Sequence, residues 1–187
     1  MTMTTERTMT DERVSSPPAR LALTPAGAPP GLLDGAWWPR SRDLFRELPA
    51  LTDRLERCWG RITRVTVNLT HWPVIPPKVP VAGHTVHVGW FTDEQDPHKL
   101  IALSYSAGRW DLLVIPPETS AASAARLMSA ATTPGSLLTA SMLMDDEDAI
   151  REAGEDRGRE SEWDTEGGAA PPPLRHPIRP PTPAPEG

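Results

Sequence analysis

The chain has little of several things, and each shortage excludes something. One cysteine, Cys58, stands among 187 residues, so no intrachain disulfide or clustered-thiol zinc site can form, and a reducing cytoplasm is the expected location. Apolar runs are short: none approaches the ~20 residues of a membrane-spanning helix, so no membrane partner is expected. The opening MTMTTERTMTDERVSS has no apolar core of a secretion signal. For that reason the sequon Asn68-Leu69-Thr70 reads as a chance match.

Positive charge is also scarce where it would matter. Residues 20–134 hold twelve basic and ten acidic residues, while residues 135–187 hold five and twelve. The net charge of -6 therefore belongs to the C-terminal part, and the near-neutral middle offers no broad basic surface for nucleic acid, which is disfavoured as a partner. Phosphate-cradling loops of the G-x-x-x-x-G-K-[ST] or G-x-G-x-x-G kind are missing, as is a G-x-S-x-G nucleophile elbow. No cofactor and no catalytic residue is assigned, and the expectation leans away from an enzyme.

Proline is plentiful, with 23 residues, and its placement divides the chain. Residues 1–19 are rich in Thr, Ser and charge and are expected to be a disordered arm. Residues 151–187 are first acidic and then proline-rich, a second expected disordered segment, and the natural place for a protein partner if the folded part is only a carrier. Between them, residues 20–134 carry the signs of one domain.

Within that domain RLAL (20–23) is a short strand ended by Pro25, and the proline- and glycine-rich run to Gly31 is loop. SRDLFRELPALTDRLERCWG places Leu44, Leu48, Leu51, Leu55 and Trp59 on one helical stripe, with Ser41 as N-cap, Gly60 at the stop, and a kink or a new helix at Pro49. Four strand-like runs follow, at 61–69, 84–91, 99–105 and 109–116, spaced as in an antiparallel meander. WPVIPPKVPVAG (72–83) reads as a long loop. ETSAASAARLMSAA (118–131) reads as a helix over one sheet face. Residues 135–150 read as a marginal helix whose Asp145-Asp146-Glu147-Asp148 would sit unfavourably at its C-terminal end.

The predicted architecture is α+β: an antiparallel sheet of four to six strands covered by two or three helices. Alternation gives an apolar face of Val65, Val67, Leu69, Val86, Val88, Trp90, Ile101, Leu103, Tyr105, Trp110, Leu112 and Val114. The other face is mixed, and is either partly covered by the N-terminal strand and loops or open as a groove.

His84-x-x-His87 has a spacing that suggests a metal, but positions three apart on a strand face opposite ways, so no metal site is assigned. The acidic residues cannot be paired into a cleft from spacing, and Cys58 lies near a helix end where nothing stabilises a thiolate. The stretch DGAWWPRSRDL (34–44) is more informative. Adjacent strand residues point to opposite faces, so one of Trp37 and Trp38 faces the core and the other is freer. A free indole beside Arg40 and Arg42 would suit a planar or anionic ligand. Trp38, Arg40, Arg42, Asn68 and His87 form the candidate ligand-binding set, whether in a binding protein or a small enzyme; a packed tryptophan pair sealing the domain edge is the competing reading.

The strings LALTPAGAPPGLLDGAWWPRSRDLFRELPALTDRL, WGRITRVTVNLTHW and DLLVIPPETSAASAARLM together resemble a family of small actinobacterial proteins classed only as a domain of unknown function. The resemblance spans about residues 20–131, with GAWWPRSRDL as its most specific element. Seventeen arginines against two lysines fit a GC-rich genome. It implies domain boundaries but no activity, cofactor or catalytic residue. The reading that emerges is a non-enzymatic binding or regulatory module.

Overall fold

A computed structural model describes residues 17–106 and 108–166. Of the two expected disordered arms, residues 1–16 and 167–187 lie outside the described residues. The elements run β1 (Arg20–Leu23), β2 (Gly35–Trp38), α1 (Leu44–Trp59), β3 (Ile62–Asn68), a 3-10 turn (Leu69–His71), β4 (Lys78–Val81), β5 (His84–Phe91), β6 (Lys99–Ser104), β7 (Gly108–Val114), α2 (Ala121–Ala131) and α3 (Ala140–Glu166).

The strands form one sheet in the order β1-β2-β7-β6-β3-β5-β4. It has seven strands and is mixed, where four to six antiparallel strands were expected. β2 runs parallel to β7 and β3 parallel to β5. Strand spacing suggested a meander, but β4 takes the outer edge and β5 returns between it and β3. KVPV reads as loop because of Pro80; an edge strand tolerates a residue without an N–H, and β4 pairs only with β5.

α1 covers the inward face with Leu44, Leu48, Leu51, Leu55 and Trp59, all buried as the stripe requires. Its N-cap is Asp43 rather than Ser41: the Asp43 carboxylate accepts the N–H of Phe45 at 3.1 Å and of Arg46 at 3.3 Å. Ser41 donates instead to Glu47 at 2.8 Å. Pro49 does not split the helix, which is continuous from Leu44 to Trp59. The carbonyl that loses its partner belongs to Phe45, an exposed residue, which water can serve.

Four tryptophans reinforce this core in two stacks. Trp37 lies on Trp72 with centroids 5.5 Å apart, and Trp59 on Trp110 at 4.1 Å. Three members of the expected apolar face are exposed instead: Leu69 at 43%, Trp90 at 59% and Tyr105 at 86%. In β6 the inward residues are Leu100 and Ala102, not Ile101 and Leu103. KLIALS is apolar in both parities, so only its register decides, with Ala102 opposite Val65 and Trp110.

The second face is neither covered by the N-terminal strand nor wholly open. At the β2–β7 end α2 and the first turns of α3 cover it, burying Leu33, Ala36, Leu113, Ile115, Leu127 and Leu143 in a second cluster. Over β3, β5 and β4 it stays uncovered, with Arg64, Lys78 and His87 exposed.

α3 continues past residue 150, so its acids do not sit at its C-terminal end. Because the helix runs to Glu166, Asp145 to Asp148 fall in its N-terminal half. Thr139 accepts the N–H of Met142 at 3.2 Å, and Asp96 accepts the N–H of Ser141 at 2.8 Å, a carboxylate at the positive end of the helix dipole. The buried Glu147 pairs with Arg126 of α2. Among the described residues, 150–166 belong to a second unit. Residues 150–166 are helical, with Arg151 and Glu155 one turn apart and Arg159 bonded to Asp156.

Trp37 is 1% exposed, whereas Trp38 is half-buried. Trp37→Ala is expected to cost about 3–5 kcal/mol in urea unfolding, the range for removing a large buried aromatic, and Trp38→Ala distinctly less; equal losses would contradict the two-faced packing. Gly35→Ala should be more damaging than any ordinary glycine-to-alanine change, since its methyl would lie 2.2 Å from the Ala22 carbonyl. Thermal unfolding of that variant checks the close β1–β2 approach.

Candidate functional site

The five residues singled out in the sequence go to different places. Arg42 and Asn68 come together at the 3-10 turn after β3. Arg42 donates to the His71 carbonyl at 3.1 Å and pairs with Glu118. Asn68, 3% exposed, accepts the N–H of Thr70 at 2.8 Å and donates to the Thr92 carbonyl at 2.7 Å. Both hold backbone. Trp38 packs beside the second cluster, and the Arg20 guanidinium lies 3.4 Å from its ring centroid. That intrachain cation occupies a ring face on which a planar ligand was expected to stack. Arg40 donates to the Pro18 carbonyl at 2.8 Å, beside a shallow cleft of about 470 Å³ that Phe45 and Pro49 also line. His87 stands on the uncovered outward face of β5.

Beneath Arg42 lies a histidine pair. His71 and His98 have ring centroids 4.7 Å apart, and Nε2 of His71 and Nδ1 of His98 are buried without a hydrogen-bond partner among the described residues. Burial, followed by His98 and Arg42, pushes His71 down to about 4. Burial also lowers His98, against the opposing pull of Asp96, Asp145 and Asp148. Burial favours the neutral form of both rings, which pack against each other. Among the described residues no group of three or more His, Cys, Asp or Glu is set to hold a metal.

On the outward face Asp111 binds Lys99 at 3.0 Å and Arg109 at 2.7 Å. Burial alone would raise the Asp111 carboxyl, but these two cations hold it below the usual range. Asp34 accepts the Asp111 N–H at 2.8 Å, and burial raises it. This network is satisfied within the chain and ties β2 to β7.

A different kind of place lies at the end of the sheet where β3 and β5 begin and β6 ends. Arg61, Thr63, His84 and Thr85 line a cleft of about 440 Å³ together with His87, Tyr105 and Ser106. α1 stops at Gly60, whose φ of 71° suits glycine and releases the chain into Arg61. Gly108, with φ 96°, follows the turn that carries Tyr105 and Ser106. His84 is anchored from behind: its Nε2 lies 2.8 Å from the Ile62 carbonyl and 3.1 Å from Glu56. The side chains of Arg61, Thr85, His87 and Tyr105 make no hydrogen bond or ion pair among the described residues. No carboxylate lines the cleft.

His87 is the only one of the five sequence-derived residues in this cleft. His84 and His87 do alternate across β5, but His84 opens the strand, where its ring reaches the same cleft from the sheet's end. Arg61, Thr85, Tyr105 and Ser106 escaped notice because the two turns that bring them together are 45 residues apart in sequence. The usable signal was the run of strand ends: an arginine just after a helix stop, and a tyrosine and serine just before a glycine turn.

A family model described as "Family of unknown function (DUF5994)" matches residues 20–131, more than half of the chain. The chain belongs to DUF5994. The DUF5994 region takes in every strand, α1 and α2, and stops before α3; the cleft and the histidine pair both lie inside it. No curated protein and no solved structure matches the chain. Among the described residues no helix is long and apolar enough to cross a membrane.

The histidine pair gives the DUF5994 region a pH signature. His71 has a folded value of about 4 against 6.5 in an ordinary setting, so folding favours its neutral form. Its contribution is complete above 6.5 and is lost as pH falls toward 4. The urea midpoint is expected to drop across that window, and a His71→Gln variant should show a flatter profile there; an unchanged slope would mean that carboxylates alone carry the acid sensitivity.

Proposed function

We propose that this chain is a non-enzymatic binding module that holds a small ligand in the cleft lined by Arg61, His84, His87 and Tyr105. The observation that carries this reading is the contrast between committed and uncommitted polar groups. Arg20, Arg42, Arg109 and Arg126 each have partners within the fold, whereas Arg61, His87 and their neighbouring hydroxyls converge on a cavity. Its size falls within the range of small-ligand sites, roughly 300–1,000 Å³.

The Trp38, Arg40 and Arg42 segment supports ligand binding less well, because Arg20 covers one ring and Arg42 is committed to His71 and Glu118. Its place is structural: it closes β2 against two cores. A cytoplasmic setting is supported by the single thiol of Cys58, which is exposed and needs no oxidant. An actinobacterial source is supported by the arginine bias alone. A protein partner for residues 151–187 rests on the acidic and proline-rich composition of that segment.

The test is a thermal-shift screen of the full chain against soluble metabolites, since a ligand at 100 times its Kd adds about 2.7 kcal/mol to the folded state. Compounds that raise Tm should lose their effect in Arg61→Ala and His87→Ala and keep it in Arg40→Ala. Stabilisation that survives both cleft substitutions would place the ligand elsewhere and overturn this assignment.

A further inference from the structure

The cleft opens onto a row of basic side chains, two of them permanent cations. His87 of β5 lies in direct register with Arg64 of β3 on one side and Lys78 of β4 on the other. Alternation turns all three outward, since Val65, Val79, Val86 and Val88 beside them are buried inward. Arg64, Lys78 and His87 are exposed and make no ion pair among the described residues. Basic residues set directly opposite one another weaken a sheet rather than hold it.

The same outward face shows what a compensated arrangement looks like. On β6 and β7, Lys99 and Arg109 grip the Asp111 carboxylate between them, at 3.0 and 2.7 Å. On β4, β5 and β3, Lys78 and Arg64 flank His87, and no carboxylate pairs with them among the described residues. Arg61 adds a further uncommitted guanidinium at the end of the row, with the Thr85 and Ser106 hydroxyls beside it in the cleft.

Resting on the cleft reading above, we infer that the ligand is a soluble phosphate monoester carrying a planar group. Three strands spaced by about 4.7–4.9 Å spread the row over roughly 10 Å. A carboxylate, with one charge and two oxygens, engages one or two members of such a row. A phosphate monoester brings close to two negative charges and three strong acceptor oxygens, which match donors arriving from several strands. Tyr105, 86% exposed at the cleft wall, offers an aromatic face on which a planar group stacks. Phosphate binding here needs no glycine loop or helix N-terminus, because the donors are side chains on a sheet.

The experiment is an amide NMR titration of the full chain with phenyl phosphate, benzoate and benzyl alcohol. Phenyl phosphate is expected to shift the amides of residues 61–63 and 84–87 saturably, binding at least tenfold more tightly than benzoate. Arg61→Ala and Lys78→Ala should each weaken it about tenfold, while Arg54→Ala, which removes an exposed charge from α1, leaves it unchanged. The amide spectrum of each variant reports whether it is folded. Benzoate or benzyl alcohol binding as tightly as phenyl phosphate would overturn the phosphate assignment and leave the cleft standing as a site. No response at these amides to any of the three overturns the phosphate assignment, and the cleft falls with it only if the metabolite screen also yields no Arg61-dependent binder. Cosedimentation with phosphatidic acid vesicles without saturable binding of phenyl phosphate would assign the phosphate to a lipid headgroup and overturn the soluble-ligand inference.

Discussion

The parallel pairing of Gly35–Trp37 with Leu112–Val114 joins the two ends of the domain, and the rest of the fold is arranged around it. β2 has β1 on its other side, so it is an internal strand even though it is four residues long. An internal strand covered on both sides gives successive side chains apolar surroundings: Trp37 is buried and Trp38 half-buried. Trp37 enters the α1 core and meets Trp72; Trp38 enters the side covered by α2 and α3 and carries Arg20 on its ring. Gly35 permits the approach of β1, and Asp34 locks the strand to β7 by accepting the Asp111 N–H and by donating its own N–H to the Asp111 carbonyl. Two cores thus account for the adjacent tryptophans.

The same two-sided covering explains why polar chemistry is pushed to one end. Over β2 and β7 the outward face is sealed, and its charges are paired: Asp111 with Lys99 and Arg109, Glu147 with Arg126. Desolvated charges are tolerated only with partners at hydrogen-bond distance. Over β3, β5 and β4 no helix lies on that face, so Arg64, Lys78, His87 and Arg61 remain hydrated and uncommitted. A protein surface can carry unpaired cations at little cost in water, which keeps them available to an anion that arrives later.

Local patterns made much of this legible. The α1 stripe, the four main strands and the α2 helix all follow from periodicity, proline and glycine. The errors have local causes as well. KVPV hides a strand because proline is judged without knowing that the strand is an edge. LIALS is apolar in both parities, so its inward face is undetermined until Ala102 sits opposite Val65. The acids at 145–148 look misplaced only if the helix ends at 150. Of the cleft, His87 alone was in the candidate ligand set, since its neighbours come together through turns far apart in the chain.

What the sequence by itself determined is the class of the protein and the composition of its core: α+β, one amphipathic helix against an alternating sheet, with a reading free of disulfides. These depend on side-chain period and on residue chemistry, both written locally. Only the tertiary structure decided the parallel pairings, the second core that takes in Trp38, and the meeting of Arg61, His84, His87 and Tyr105 at one end of the sheet. Strand order and the coverage of each face depend on contacts between residues distant in the chain. Such contacts leave no periodic trace, because a strand presents the same alternation whichever neighbour it pairs with.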